Sequence, residues 1–253
     1  NDLLGGEFYV NWNQFAERDF PNNQDALQND LDQPNRILRY GDKFGYDYAM
    51  HTRYVLGWMQ VAVTTNKIDF FTAASLSNTK YYREGYVRNG LFPGSSYGRS
   101  YPNSFSNYAV KAGLTYKLTG RKYLYAHAAI LTKAPYPDNA FISLRTRDTR
   151  QEPVTSEKIQ AAEIGYVWNA PDIKLRLTGY AASFENGMNV LTFYHDEYRS
   201  FVNYAISNIG KLHYGLEFGA EKQLNAWWVV SAAATAGRYY YNNRQQVAVS
   251  LDN

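Results

Sequence analysis

The chain has no cysteine among its 253 residues. That excludes a disulfide framework and any thiolate-based metal or redox centre, although it identifies no compartment. There is no excess of one charge. Lys and Arg number 26 against 23 Asp and Glu, a net +3, which is too balanced for a polycation that grips nucleic acid. No apolar run approaches the ~18 residues of a transmembrane helix. The first residues, NDLLGGEFYV, lack the basic-then-apolar order of a secretion signal. What the chain has in quantity is rings: 24 Tyr, 13 Phe and 5 Trp, or 17% of all residues. Tyr and Trp suit places where one end of a side chain is apolar and the other wet, such as binding surfaces and membrane interfaces.

Apolar residues recur with period two. In residues 104–118, Tyr108, Val110, Ala112, Leu114, Tyr116 and Leu118 alternate with Asn107, Ala109, Lys111, Gly113, Thr115 and Lys117. In 211–221, Leu212, Tyr214, Leu216 and Phe218 alternate with Lys211, His213, Gly215 and Glu217. Segments 160–168 and 173–178 repeat the pattern, and 44–58 places Phe44, Tyr46, Tyr48, Met50, Tyr54, Leu56 and Trp58 on one face. Such alternation marks strands with one apolar face. No convincing helix is found; DALQNDLDQ (25–33) is at most a short turn of one. Short turns are expected at Thr65–Lys67, Thr119–Arg121, Asn169–Asp172 and Leu224–Ala226, and long polar, aromatic loops at 84–103, 134–156 and 185–203.

The reading is therefore all-β, with about nine or ten strands joined as short-turn hairpins by long loops. Short turns at one end and long loops at the other are the wiring of an outer-membrane barrel. Trp168, Trp227, Trp228, Tyr116 and Tyr123 flank short turns, where an interfacial girdle would lie. A soluble β-sandwich also alternates. Long strands with Tyr- and Trp-rich apolar faces, and polar faces that mix charge with Gly and Ala, favour the barrel.

VRNGLFPGSSYG (87–98) and SFSNYAVKAGLTYKLTGRKYLYAHAAILTKAP (104–135) resemble a TonB-dependent outer-membrane receptor. The resemblance continues through LRTRD, SEKIQAAEIGY, FYHDEYRSFVNY and HYGLEFGAE, over about residues 40–253. It is to the Bacteroidota type with a carboxypeptidase-regulatory-like N-terminal module. It implies an antiparallel transmembrane β-barrel in the outer membrane of a Gram-negative bacterium, importing a scarce nutrient with energy passed through TonB. It implies outer-membrane lipid, lipopolysaccharide and a surface lipoprotein lid as partners. No plug domain or TonB box is visible, and about ten strands cannot close a barrel of the ~22-stranded class. Residues 1–253 are therefore expected to be part of a single barrel domain, a late segment of a longer chain, with 1–40 an extracellular loop region and TonB reached through the missing N-terminal region. The alternative is a structural or partner-docking outer-membrane subunit that transports nothing.

The residues that could carry chemistry cluster in three places. In FYHDEYR, His195 and Glu197 would share a strand face with Asp196 opposite. Two ligands fall short of the three or four that zinc takes, and no nucleophile with an adjacent base is visible. The stretch reads as a hairpin rim, with Tyr194, Tyr198 and Tyr204 as girdle or loop rings. In SLRTRDTRQE, Arg145 and Arg147 would project together from an extended chain, and guanidinium forks suit an anionic solute or lipopolysaccharide. In TKYYREGYVRNG, Tyr81, Tyr82 and Arg83 put aromatic and basic groups together, which suits sugars and flat chelates. Haem receptors of the resembled superfamily place a histidine after the Ala-Pro block; none lies between Pro135 and Glu157. The expected ligand-binding set is Tyr81, Tyr82, Arg83, Arg145, Arg147 and Tyr194. No catalytic activity, metal or cofactor is expected.

Overall fold

The structure is a computed structural model that describes residues 2–4, 22–26, 28–34, 36–197 and 200–251. In chain order its strands are β1 (Asp2–Leu4), β2 (Lys43–Thr64), β3 (Ile68–Gly85), β4 (Gly98–Arg99), β5 (Asn103–Thr119), β6 (Lys122–Lys133), β7 (Glu157–Asn169), β8 (Ile173–His195), β9 (Ser200–Gln223), β10 (Val229–Tyr241) and β11 (Gln246–Leu251). One helical turn, α1 (Pro137–Ala140), lies between β6 and β7. Residues 25, 26 and 28–33 hold turns, bends and irregular chain, not a helix.

All these strands join one antiparallel sheet, with the long ones in the order β2-β3-β5-β6-β7-β8-β9-β10. β1 and β4 are short additions to β2 and β3. β10 pairs with the lower part of β9 and β11 with its upper part, so the two are successive lengths of one interrupted strand. Counted that way there are ten strands. The sheet is open among the described residues, with β2 and β10 at its edges. No described helix is long and apolar enough to cross a membrane. The strands are long enough, since a barrel strand crosses in about 9–11 residues and β9 has 24.

Directly paired residues lie on the same face of a sheet, so the register divides the faces. Phe70, Leu114, Ala126, Ile164, Gly179, Leu216 and Ala236 form one row on the apolar face. One position along lies a row on the other face: Phe71, Gly113, His127, Glu163, Tyr180, Gly215 and Gly237. The expected alternation in β5 and β9 is thus realised.

Three expectations are corrected. Tyr48, Met50, Tyr54, Leu56 and Trp58 of β2 pair with Gly85, Arg83, Thr79, Ser77 and Ser75, which puts the ring-rich face on the polar side; Val55, Met59, Val61 and Val63 supply the apolar one. Tyr123 pairs with Lys117 and Val167 on the polar face, and its hydroxyl donates to Gly120 O at 2.7 Å. It is no girdle ring, whereas Trp168 and Tyr116 keep the apolar side. Lastly, 185–203 is not a loop. β8 runs to His195 and β9 starts at Ser200, with the ladder carried past irregularities between Phe184 and Asn189. Asn186 (φ 61°) and Asn208 (φ 54°) take left-handed backbone there, which asparagine tolerates better than most residues.

Candidate functional site

Above the regular wall the connections fold into a cap. Its hub is Arg83, near the top of β3 and 2% exposed. Its Nη1 donates to Ser96 O at 2.7 Å, its Nε to Leu144 O at 2.8 Å and its Nη2 to Arg145 O at 3.5 Å. One guanidinium therefore joins loop 86–102 to loop 134–156 by satisfying carbonyls that no ladder reaches. Gly85 makes this close approach possible: a Cβ there would lie 1.8 Å from Ser96 O. Asp148 N donates to Ser95 O at 2.7 Å, a second tie between the two loops. Burial raises the Asp148 carboxyl above its ordinary value, against the pull of Arg83.

Arg147 clasps the other side. Also buried, it donates from Nη2 to Ser250 Oγ at 2.6 Å and Leu251 O at 2.8 Å, and its guanidinium carbon lies 4.1 Å from the centre of the Phe92 ring. Asn139 Oδ1 accepts from Val190 N at 3.3 Å. The β8–β9 hairpin thus shares in the cap, and Val202, Asn203 and Ala205 are buried within it. Tyr81, Phe105, Ala140 and Phe141 make a small apolar core beneath, and the Tyr81 hydroxyl donates to Pro135 O at 3.1 Å.

The six residues expected to bind ligand separate accordingly. Tyr81, Arg83 and Arg147 hold the cap together. Tyr82 pairs with His51 on the apolar side, stacked on its ring at 4.7 Å. Arg145 and Tyr194 are exposed. Arg145 lies 5.6 Å from the centre of the Tyr46 ring; Tyr194 meets Phe201 edge-on at 5.7 Å. Arg145 and Arg147 do not project together, because Arg147 N bonds Ser143 O at 3.1 Å across a turn. The His195 stretch is the end of β8 followed by a turn at Asp196 and Glu197; Tyr198 lies outside the described residues. No group of three or more His, Asp or Glu suited to a metal occurs among the described residues.

The polar face of the wall carries a cluster that sequence reasoning missed. Tyr125 lies across Gly165, where a Cβ would come within 2.4 Å of its ring. It thereby reaches past β7 to Thr178 Oγ1 at 2.7 Å and accepts from Arg176 Nη2 at 3.0 Å. His127 Nδ1 lies 2.9 Å from Glu163 Oε1, and the Tyr180 and Tyr239 hydroxyls are hydrogen-bonded. His127, Glu163, Thr178 and Tyr180, with Glu217, line a shallow depression of about 460 Å³. The surface offers donors and acceptors of both charge signs to whatever occupies the interior. The available signal was a polar residue at matched distances from short turns, as with His127 and Glu163.

No family model and no curated protein sequence matches the chain. Solved structures do. The chain resembles the copper transporter OprC, with a TM-score of 0.64 over 87% of this chain at 14% identity. It spans 33% of that protein's length. The likeness is one of fold: an antiparallel β-barrel wall segment.

Proposed function

We propose that the chain forms wall and external loops of a TonB-dependent outer-membrane transporter that takes up a nutrient. The observation that carries this reading is the polarity of the sheet. Its tight turns gather at one end, while at the other a cap tied by Arg83 and Arg147 leans over a polar inner wall. A barrel importer needs both: a lipid-compatible wall and an ordered external surface that meets the solute first. Exposed Arg145 and Tyr194, with half-buried Tyr46 beside Arg145, are available for that contact. The Bacteroidota affiliation, the lipoprotein lid and the absence of catalysis belong to the same proposal. Copper, the cargo named for OprC, is not carried across at 14% identity.

The test uses cells producing the whole protein, supplied with candidate solutes in pools. Uptake should disappear when TonB is removed and fall in Arg145→Ala/Tyr194→Ala cells, with an epitope at Gly94 still labelled from outside. Uptake that survives loss of TonB would contradict energised import. Labelling of an epitope at Asn169 on intact cells would contradict the orientation.

A further inference from the structure

The depression on the polar face of the wall has a built shape. Lys111, Ala129, Ala161 and Ala182 are direct partners in one row of β5, β6, β7 and β8. The next row toward the short turns holds His127, Glu163 and Tyr180, and the row beyond it Thr178 and Glu217. Three methyl groups side by side, bordered by longer side chains, make the floor. Lys111 from β5 and Glu217 from β9 both line it.

Most charges in and around it are committed. His127 and Glu163 face each other at 2.9 Å. Arg176, one row below Glu217, is turned to the Tyr125 hydroxyl at 3.0 Å. Lys111 and Glu217 are not committed. Both are exposed, and neither makes an ion pair or a side-chain hydrogen bond among the described residues. The direct partners of Lys111 are Ala73 and Ala129, and those of Glu217 are Thr178 and Thr235. A lone cation and a lone anion facing one depression match a solute with a carboxylate at one end and an ammonium at the other. The spacing sets its length. Four strand spacings of ~4.8 Å across, and four residues of ~3.4 Å along, put the two Cα atoms ~23 Å apart. Allowing ~10 Å for the two side chains leaves ~13 Å, or about four extended residues. A free amino acid is too short to touch both.

Resting on the transport reading, we propose that this depression holds a zwitterionic peptide of about four residues, its terminal carboxylate on Lys111 and its terminal ammonium on Glu217. The alanine floor leaves room for an extended backbone, and Phe71 and Tyr180 border it with rings for apolar side chains. Glu163, held by His127, is a further acceptor along the way. One free group of each sign suits neither a polyanion nor a polycation.

The whole protein in detergent would be titrated calorimetrically with tetra-alanine, with its C-terminally amidated and N-terminally acetylated forms, and with free alanine. Tetra-alanine should bind, and Lys111→Gln or Glu217→Gln should each raise its dissociation constant at least about tenfold. The amidated peptide should bind the parent weakly and be indifferent to Lys111→Gln; the acetylated one should be indifferent to Glu217→Gln. No binding of tetra-alanine, blocked peptides or free alanine binding as tightly as tetra-alanine, or unchanged affinity in both variants would each overturn the site. Uptake by cells with and without TonB separates this failure from that of the transport reading. TonB-dependent uptake of other solutes, with no binding of tetra-alanine, sinks the site alone. The expected binding pattern, with uptake of tetra-alanine that survives loss of TonB, sinks energised import and upholds the site.

Discussion

The wall and the cap are made by the same strands but solve different problems. Between the short turns and the row in which Arg53 pairs with Lys80, the ladder itself pairs backbone groups, and side chains sort by parity into lipid-facing and interior sets. In lipid this is obligatory, because no water is available to satisfy a stray carbonyl. Above that row the connections 86–102 and 134–156 leave the ladder, and some of their carbonyls find buried guanidinium groups instead. Arg83 serves Ser96, Leu144 and Arg145, and Arg147 serves Leu251. Arginine suits this because its planar fork offers five donors and stays charged. A charge on the outer wall is thus an intrusion, while a buried charge in the cap is a structural member.

The sharpest way to break that contrast is Arg83→Ala. It leaves three carbonyls without their donor, at about 1–3 kcal/mol each, so cap opening should become easier by on the order of 5 kcal/mol. The chain has no native cysteine, so a single dye at Gly94→Cys reports cap opening in urea. The cap should open early while the barrel keeps its heat-modifiable migration on gels. Loss of both together would mean that wall and cap are one cooperative unit. The converse intrusion is Leu216→Arg, 60% exposed on the apolar face. It should cost the wall about 2–4 kcal/mol near mid-bilayer, with cap opening unchanged. A neutral effect would remove Leu216 from lipid. Smaller again is Gly165→Ala, which drives a Cβ into the Tyr125 ring; overpacking of this kind costs about 1–3 kcal/mol. Adding Tyr125→Ala should recover part of that loss, and strict additivity would show that the two do not touch.

The same contrast explains what the sequence made legible. Period two is a local property, so β5, β7 and β9 and the four tight turns could be read from residue order. The upper β8–β9 hairpin could not, because Asn186, Gly187, Asn208 and Gly210 look like loop residues when they are in fact bulges that keep the ladder going. Ring content misassigned β2, since tyrosine serves lipid interface and polar interior alike. The arginines were conspicuous, but sequence shows a guanidinium without showing which carbonyls it will meet. Arg83 and Arg147 therefore read as ligand contacts, and the turn at Ser143–Arg147 undid the parity argument for Arg145 and Arg147. The His127–Glu163 pair spans 36 positions and becomes visible when turn positions fix the register.

The smallest expected effect lies inside the cap and tests whether its charges are balanced. Asp148 sits between the two loops with its carboxyl raised by burial, a displacement that Arg83 opposes but does not cancel. A carboxyl raised on folding binds its proton more tightly in the folded cap than in the open one. Its ionisation therefore costs cap stability, a cost that is full above the raised value and absent below the ordinary one. With the same dye at position 94, Asp148→Asn should open later than the parent at neutral pH. The difference should close as pH falls and the parent's carboxyl takes up its proton. If the variant instead opens earlier at neutral pH, the Arg83 attraction outweighs desolvation, and the cap is held by an ion pair as well as by carbonyls.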